Sequence, residues 1–174
     1  FVSGVVMMYV GYPKLTESER LQYLPRLGEG QGLLGPAQAL ATAGVHAPLE
    51  SLRLAAASGG RPVYLAEPAD AGGKKKAGSA TIVIDARSGA RPDSFGREAA
   101  LATSRAWAGP SVRLDYLDAV MEDAFTHSRG LDGHRPLHRV QLGDEAQTLL
   151  YVSSRTGEVV RDAPRLERLW NYAG

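Results

Sequence analysis

The sequence predicts an α+β fold of two tandem modules, in which each module is a small antiparallel sheet packed against helices. Three observations support this: a repeated strand-turn-strand pattern, a glycine at the same place in both turns, and a helical segment between the copies. Self-similarity at a nearly constant offset is typical of repeated structural units. The offset is 74 residues at the start of the pattern (135 − 61) and 68 at the turn (157 − 89), so the difference is expected in a loop, where insertions cost little. The residues that define the repeat are Arg61, Pro62 and Gly89 in the first copy and Arg135, Pro136 and Gly157 in the second.

Backbone geometry explains the two turn glycines. A short hairpin loop requires a positive φ at one position, which glycine adopts without strain. Gly89 and Gly157 occupy that position in the repeat. We expect a β-branched residue at either site to loosen its own hairpin first.

The composition is that of an ordinary folded protein. The chain has 174 residues, of which 44% are hydrophobic and 22% charged, so wholesale disorder is not expected. This length permits one domain or two small ones, and the repeat favours two. A net charge of +1 gives no reason to expect a nucleic-acid partner. The chain has no cysteine, which excludes thiol catalysis, disulfides and cysteine-based zinc sites.

Residues 1–13 are predicted to be the tail of a transmembrane helix. The chain begins with a nearly continuous apolar run, about half of the roughly 20 residues needed to cross a bilayer. Tyr9, Tyr12 and Lys14 are typical of a membrane surface, and the lack of a basic start argues against a signal peptide. A buried strand or core helix is the alternative. Residues 14–35 are predicted to form a juxtamembrane helix and a glycine-rich linker.

Residues 36–109 form the predicted first module. It begins with a helix that Pro36 can open, because the first helical turn tolerates proline. Apolar alternation predicts three strands, and the loop before the third is rich in alanine, glycine and lysine. A helix capped by Ser94 ends the module. The predicted elements are helix 36–43, strands 49–57, 62–67 and 79–85, loop 68–78 and helix 95–107.

Residues 110–174 form the predicted second module, which leads towards a further membrane helix. A helical segment is expected near its start, followed by a strand by analogy with the first copy. The strands of the repeat come next, and an amphipathic helix with Leu166, Leu169 and Trp170 at helical spacing follows them. The predicted elements are helix 114–120, strands 122–128, 136–142 and 147–153, and helix 163–172.

The repeated hairpin resembles that of a known family. The segment 151–160 (YVSSRTGEVV) is similar to the signature hairpin of PepSY domains, in which a strand ends in a polar loop with Thr-Gly and returns. The strand that begins at Arg135 resembles the strand before it. With the apolar start and the aromatic end, residues 1–20 and 36–174 resemble the extracytoplasmic segment between the first two membrane helices of PepSY-associated transmembrane proteins. The first copy keeps the turn at 86–90 but lacks the Glu-Val continuation.

The resemblance implies an inner-membrane protein in which this segment faces the periplasm. Some members of the family are linked to iron uptake and to the reduction of iron from siderophores, and PepSY modules elsewhere inhibit or bind peptidases. The expected function is a non-enzymatic binding or regulatory domain. The alternatives are the docking portion of a membrane ferric-siderophore reductase and a peptidase-inhibitor or chaperone-like module.

The resemblance also implies which cofactors and partners to expect. In reductase-like members the haem ligands are expected on membrane helices, so no cofactor is expected in this segment. The expected partners are the membrane, through flanking helices, and a protein or a ferric siderophore. Nucleic acid is not an expected partner, in keeping with the small net charge.

No convergent catalytic set is predicted, and two weaker motifs have ordinary explanations. The segment 30–35 (GQGLLG) matches the dinucleotide-binding pattern by letter, but a helix rather than a strand is predicted before it. His127, His134 and His138 lie close in the sequence, and the last two share strand parity, which makes them candidate metal ligands. Alternatively, the His138 ring packs between sheet and helix, in the place that Tyr64 occupies in the first copy.

Two charged segments are candidate interaction sites. Asp115 and Asp118 belong to an acidic cluster, which an exposed helix face or an acid-base pair would explain. Lys74, Lys75 and Lys76 lie in the long loop and would meet anionic lipid headgroups if that loop lies near a membrane. A solvated hairpin tip is the alternative for the lysines.

Overall fold

A computed structural model of the chain describes residues 32–57, 59–69 and 81–165. Two antiparallel sheets and two α-helices occupy these ranges, which confirms the predicted α+β class. No helix in this part of the chain is long and apolar enough to cross a membrane. The elements are α1 (Pro36–Thr42), β1 (Leu49–Ala57), β2 (Arg61–Pro68), β3 (Ile82–Asp85), α2 (Arg97–Ala108), β4 (Leu114–Val120), a 3₁₀ helix (Arg129–His134), β5 (Leu137–Leu142), β6 (Leu149–Ser153) and β7 (Val159–Ala163).

Several predicted segments lie wholly or mostly outside the described residues. These are the membrane-helix tail at 1–13, the helix and linker at 14–35, the lysine-bearing loop at 68–78 and the helix at 163–172. The expectations for these segments stay predictions.

The two sheets share one strand register. The first sheet has the order β1-β2-β3, and the second has the order β4-β5-β6-β7. Tyr64 pairs with Ile84 in the first sheet, and His138 pairs with Val152 in the second. Adding the offset of 74 to residue 64 gives residue 138, and adding the offset of 68 to residue 84 gives residue 152. The three other pairs of β2 with β3 correspond to pairs of β5 with β6 by the same two offsets. The register that the repeat predicts is therefore present in both sheets.

Helix α2 lies between the two sheets. Its Ala100 packs on the apolar face of the second sheet, and its Ala99 packs on the core of the first. The turn after β1 approaches α2 so closely that a Cβ atom on Gly59 would lie 2.9 Å from the Cβ of Ala102. Helix α1 covers the opposite face of the first sheet, around Tyr64. We call α1 with the first sheet the first unit, and α2 with the second sheet the second unit.

The connection between β4 and β5 covers the outer face of the second sheet. The matching connection in the first unit spans only residues 58–60, whereas this one spans residues 121–136. Phe125 and Leu131 of the longer connection pack in one cluster with Tyr151, which is fully buried. The inserted segment thus covers the outer face of the second sheet, and α2 covers the matching face of the first sheet.

Arg135 holds the inserted segment on the sheet. Its side chain is only 7% exposed and donates hydrogen bonds to the backbone oxygens of Met121 and Thr126, the latter at 2.7 Å. Its Nε also donates to the Asp132 carboxylate at 3.1 Å. A guanidinium suits this role because it presents five N–H donors in one plane. Arg61, the matching residue, is exposed at the start of β2, so the repeated Arg-Pro pair has different roles in the two units.

Residues 114–120 form strand β4, so the predicted helix there is wrong. The acidic residues of the segment recur at helical spacing, but its leucine, tyrosine and valine residues also suit a half-buried strand. Pairing with β5 decides between the two, and the local pattern does not contain that information. The predicted strand at 122–128 is also wrong, because Asp123 and Thr126 close a turn there through hydrogen bonds of their side chains.

The bounds of α1, of α2 and of the strands of the first sheet lie within three residues of the predictions. Helix α2 begins at Arg97 with Gly96 as its N-cap, so Ser94 is not the capping residue. Strand β3 begins at Ile82 rather than at residue 79. Helix α1 ends at Thr42, one residue before the predicted end.

Gly89 is expected to be the more sensitive of two glycines that share a left-handed backbone. Gly89 has φ +74°, and an added Cβ would lie 2.7 Å from the Cβ of Thr42 in α1. Gly44 has φ +68°, but an added Cβ there meets no atom within 4 Å. We expect Gly44→Ala to lower the free energy of unfolding by about 1 kcal/mol, and Gly89→Ala by roughly 2–4 kcal/mol, because strain and overpacking add. Urea denaturation measures both losses, and equal losses would show that the contact with Thr42 relaxes freely.

Candidate functional site

A cleft of about 290 Å³ lies between the two units. One wall consists of residues 81–83, at the start of β3, and another consists of residues 91–93, which follow the next turn. Gly133 and Arg155 of the second unit complete the lining. This volume is near the lower end of the range for ligand pockets. The cleft therefore has room for a small ligand or for a few residues of an extended chain.

The cleft lining contains two guanidinium groups and one carboxylate. Arg91 and Asp93 come from the chain after β3, whereas Arg155 comes from the second unit, and all three are exposed. The Nε of Arg155 donates to the backbone oxygen of Arg135 at 3.1 Å, which anchors this side chain. Guanidinium groups bind carboxylates and phosphates through two parallel N–H bonds. The lining therefore favours an anionic group.

The turn after β3 positions Arg91. The Asp85 carboxylate accepts hydrogen bonds from the backbone N–H groups of Arg87 at 2.9 Å and Ser88 at 2.8 Å. The backbone N–H of Asp85 donates to the oxygen of Ala90 at 2.8 Å. These bonds determine the direction of the chain immediately before the cleft.

The second unit builds the same turn with a serine. The Ser153 hydroxyl oxygen accepts from the backbone N–H groups of Arg155 at 3.1 Å and Thr156 at 3.0 Å. Gly157 has φ +71°, close to the +74° of Gly89, which confirms the predicted role of both glycines. The turn that carries Arg155 into the cleft is thus the counterpart of the turn that leads to Arg91.

Opposing effects act on the Asp85 carboxyl group. Partial burial raises its pKa, because burial disfavours the charged form. Hydrogen bonds from Ser88 and Arg87 lower the pKa, and the charge of Arg61 lowers it further. The hydrogen bonds and the charge together outweigh burial, so the pKa of Asp85 lies below its ordinary value of 3.8.

A partly buried ion pair ties the second-unit turn to the first unit. Arg53 of β1 donates two hydrogen bonds to the Glu158 carboxylate, at 2.9 and 3.2 Å, and the Glu158 side chain is 4% exposed. The Thr103 hydroxyl of α2 donates to the backbone oxygen of Gly157 at 2.9 Å. The Arg53–Glu158 pair thus joins the two units at the turn that carries Arg155, and the Thr103 bond fixes the same turn to α2 within the second unit.

His138 has a structural role, and its ring lies between the second sheet and the start of α2, as the alternative to metal binding predicted. Its Nε2 donates to the backbone oxygen of Phe95 at 2.7 Å, and its Nδ1 accepts from the Tyr116 hydroxyl at 2.9 Å. Tyr64 makes the matching contact in the first unit, where its hydroxyl donates to the oxygen of Leu34 at 2.8 Å. Leu34 and Phe95 each lie two residues before their helix. A ring on the second strand of each unit thus holds the start of the helix.

His127 and His134 are engaged elsewhere. His127 is exposed, and its Nδ1 lies 2.5 Å from the Glu122 carboxylate. His134 ends the 3₁₀ helix, with its Nδ1 3.3 Å from the Ser153 hydroxyl, so it does not share a strand with His138 as the metal-site hypothesis required. In the described ranges, no three His, Cys, Asp or Glu side chains are grouped so that they could hold a metal ion.

Asp118 belongs to a chain of polar side chains on the second sheet. It accepts two hydrogen bonds of 2.7 Å from Arg139, and these lower the pKa of the Asp118 carboxyl more than burial raises it. Arg139 also donates to Asp123 at 3.2 Å, and Asp123 accepts from the Tyr151 hydroxyl at 2.8 Å. Burial, followed by the bond to Asp123, raises the pKa of Tyr151. Asp118 is therefore a partner of Arg139 across two strands and does not lie on a helix face.

Asp115, the other predicted acidic interaction residue, does not line the cleft. Asp115 lies on β4 and accepts a hydrogen bond from its near neighbour Arg113 at 3.1 Å. Lys74, Lys75 and Lys76 lie outside the described residues.

The cleft itself could not be predicted from the sequence. Arg91 and Asp93 are far from Arg155 in the sequence, and only the packing of the units on α2 brings them to one lining. One signal was present in the repeat: Pro92 of the first copy stands where the second copy has Val160. A proline at a strand position marks the point where the first copy leaves the sheet.

We expect the contribution of Asp85 to stability to depend on pH. Because its folded-state pKa is depressed, the contribution is present above the ordinary pKa of 3.8 and is lost as the pH falls through the folded-state pKa. At neutral pH, Asp85→Ala should lower the free energy of unfolding by about 1 kcal/mol, because the turn N–H groups lose their acceptor. Asp85→Ser is the matched control, because Ser153 serves the second turn. Urea denaturation across the acid range measures this, and a loss in Asp85→Ala that is the same at every pH would contradict it.

Comparison with known proteins gives no match to a family model, a curated protein or a solved structure.

Proposed function

We propose that this chain is a non-enzymatic binding domain that holds an anionic partner in the cleft between its two units. The observation that supports this most directly is the pair of exposed arginines, Arg91 and Arg155, which line one cleft from different parts of the fold. Two cations beside one cleft repel each other, and an anion between them removes that repulsion. Asp93 offsets one of the two charges, so the lining keeps a net positive charge.

We propose further that the domain belongs to an inner-membrane protein and faces the periplasm. The support is the resemblance of residues 151–160 to the PepSY hairpin, together with the apolar residues 1–13. On this proposal residues 36–109 and 110–174 are two PepSY-like modules. This boundary assigns α2 to the first module, whereas the two units described above group α2 with the second sheet. The two sides of the cleft are connected by contacts such as the Arg53–Glu158 ion pair. Binding in the cleft can therefore affect both units, which suits a regulatory or docking role.

Two alternatives use the same cleft differently. The docking portion of a membrane ferric-siderophore reductase would bind an anionic ferric chelate, for which the two guanidinium groups are the relevant feature. A peptidase-inhibitor or chaperone-like module would bind a polypeptide, for which strand β3 at the edge of its sheet is the relevant feature.

Anion binding at the cleft is the first test. Ferric citrate, inorganic phosphate and an acidic peptide are titrated separately into isotope-labelled protein and followed by NMR. We expect at least one of them to perturb the amides of residues 81–83 and 91–93. The double change Arg91→Gln and Arg155→Gln should weaken that binding at least tenfold, because each charge-assisted hydrogen bond contributes about 1.5–3 kcal/mol.

The control for this test removes a charge elsewhere. Arg113→Gln changes an arginine whose side chain is 80% exposed and which does not line the cleft. It should leave the affinity unchanged. If none of the three anions perturbs the cleft amides, the proposed function is wrong.

The proposed location has its own test. Alkaline phosphatase and green fluorescent protein are fused separately after residue 165 in the native, full-length protein. Alkaline phosphatase folds only outside the cytoplasm, so we expect an active phosphatase fusion and a dark fluorescent one. The opposite pattern would place this domain in the cytoplasm and refute the periplasmic assignment.

A further inference from the structure

The second sheet has a strand whose counterpart the first sheet lacks within the described residues. Strand β7 pairs with β6, so that residues 161–163 of β7 lie opposite residues 149–151 of β6. By the register of the repeat, residues 149–151 correspond to 81–83, and 159–163 correspond to 91–95. The first sheet nevertheless ends at β3 in the described part of the chain. Among the described residues, no strand occupies the corresponding place beside β3, which we call the open place.

The contacts of Phe95 direct the segment after the first turn away from the sheet. Phe95 donates its N–H to the backbone oxygen of Ser154 in the second unit at 2.8 Å, and its ring packs in the first-unit core. Residues 91–95 therefore border the open place instead of filling it.

The cleft and the open place beside β3 coincide. The cleft is lined by residues 81–83, which are the counterparts of the residues that β7 pairs with in the second sheet. The N–H of Asp85 points away from β2, because it donates to Ala90. Backbone groups alternate in direction along an antiparallel strand. Val83 thus directs its N–H and C=O groups to that side, towards the cleft. The same alternation, extended to the residue before β3, assigns Thr81 to this side as well.

We propose that the cleft accepts an extended, acidic segment of a partner protein as the fourth strand of the first sheet. This inference rests on the proposed function and specifies its partner, since the anionic group then belongs to a polypeptide. Backbone hydrogen bonds to Thr81 and Val83 supply affinity, as in other cases of strand addition at a sheet edge. Carboxylates beside Arg91 and Arg155 supply the preference for acidic side chains.

Strand β7 indicates the form of the occupant. It has five residues, of which the first and last, Val159 and Ala163, are buried. A matching segment has small apolar residues at its ends. The two arginines at the open place favour acidic residues between those ends, and the capped peptide VEVEA meets both requirements. Its glutamine version VQVQA has the same shape without the charge.

Amide exchange measures strand addition directly. NMR gives the exchange rates of the Thr81 and Val83 amides with and without VEVEA. We expect saturating peptide to slow both rates at least tenfold, because both N–H groups gain hydrogen-bond acceptors. The VQVQA peptide should bind at least tenfold more weakly than VEVEA.

A pair of substitutions tests the backbone contact. Thr81→Pro removes the N–H that points to the cleft, and an edge strand tolerates proline at such a position. Thr81→Val keeps the N–H and removes only the hydroxyl. We expect Thr81→Pro to weaken VEVEA binding at least tenfold and Thr81→Val to leave it unchanged. If Thr81→Pro does not fold, a VEVEA peptide that is N-methylated at alternate positions makes the same test on the unaltered protein.

Each remaining outcome would overturn the inference. Slow exchange of Thr81 and Val83 in the free protein would show that another segment of this chain already fills the place. Binding of VEVEA without protection of these amides, or equal binding of VQVQA, would exclude acidic strand addition. If ferric citrate or phosphate perturbs the cleft but VEVEA does not, the inference fails while the proposed function stands. If no anion perturbs the cleft, both fail.

Discussion

Phe95 joins the two units, and the arrangement of the two sheets depends on it. The residue is 5% exposed, and its ring packs in the core of the first unit. Its N–H donates to Ser154 and its backbone oxygen accepts from His138, both in the second unit. One residue thus ties the start of α2 to the second sheet while its side chain is buried against the first. Since α2 contacts both sheets, these bonds set the position of one unit relative to the other.

The same device recurs in the first unit, where it holds α1. Leu34 donates its N–H to Ala86 at 2.8 Å and accepts from the Tyr64 hydroxyl. Its partners are therefore a turn residue and a ring on the second strand, as they are for Phe95. Part of this arrangement can be predicted from the sequence, because Tyr64 and His138 occupy matching places in the repeat. The bonds to the helix starts could not be predicted, since they join segments that share no local pattern.

What could be predicted from the sequence was the part that the repeat specifies. Register and turn geometry follow from matched positions such as Gly89 and Gly157, because a glycine with positive φ is required wherever that turn is built. Strand β4 could not be predicted in this way. Its segment supports two periodicities, and only β5 selects one of them. The inserted residues 121–136 were likewise hidden, because the polar contacts of Arg135 hold them in place without any regular structure beyond one 3₁₀ helix.

The cleft arises from what differs between the units. Tyr64 and His138 do not line it, and the lysine loop lies outside the described residues. The difference that matters lies in the segment after the turn, because residues 91–95 leave the first sheet whereas their counterparts, residues 159–163, continue as β7.

A single unit with the same open edge would present β3 to bulk solvent, which is a position that favours uncontrolled pairing between chains. In the tandem arrangement the second unit places Gly133 and Arg155 beside that edge. The edge then becomes one wall of a bounded cleft with an arginine from each unit. The second sheet needs no such neighbour, because β7 already covers the corresponding edge of β6. In the described part of the chain, the edge of β3 and the arginines of both units thus meet only where the two units pack together.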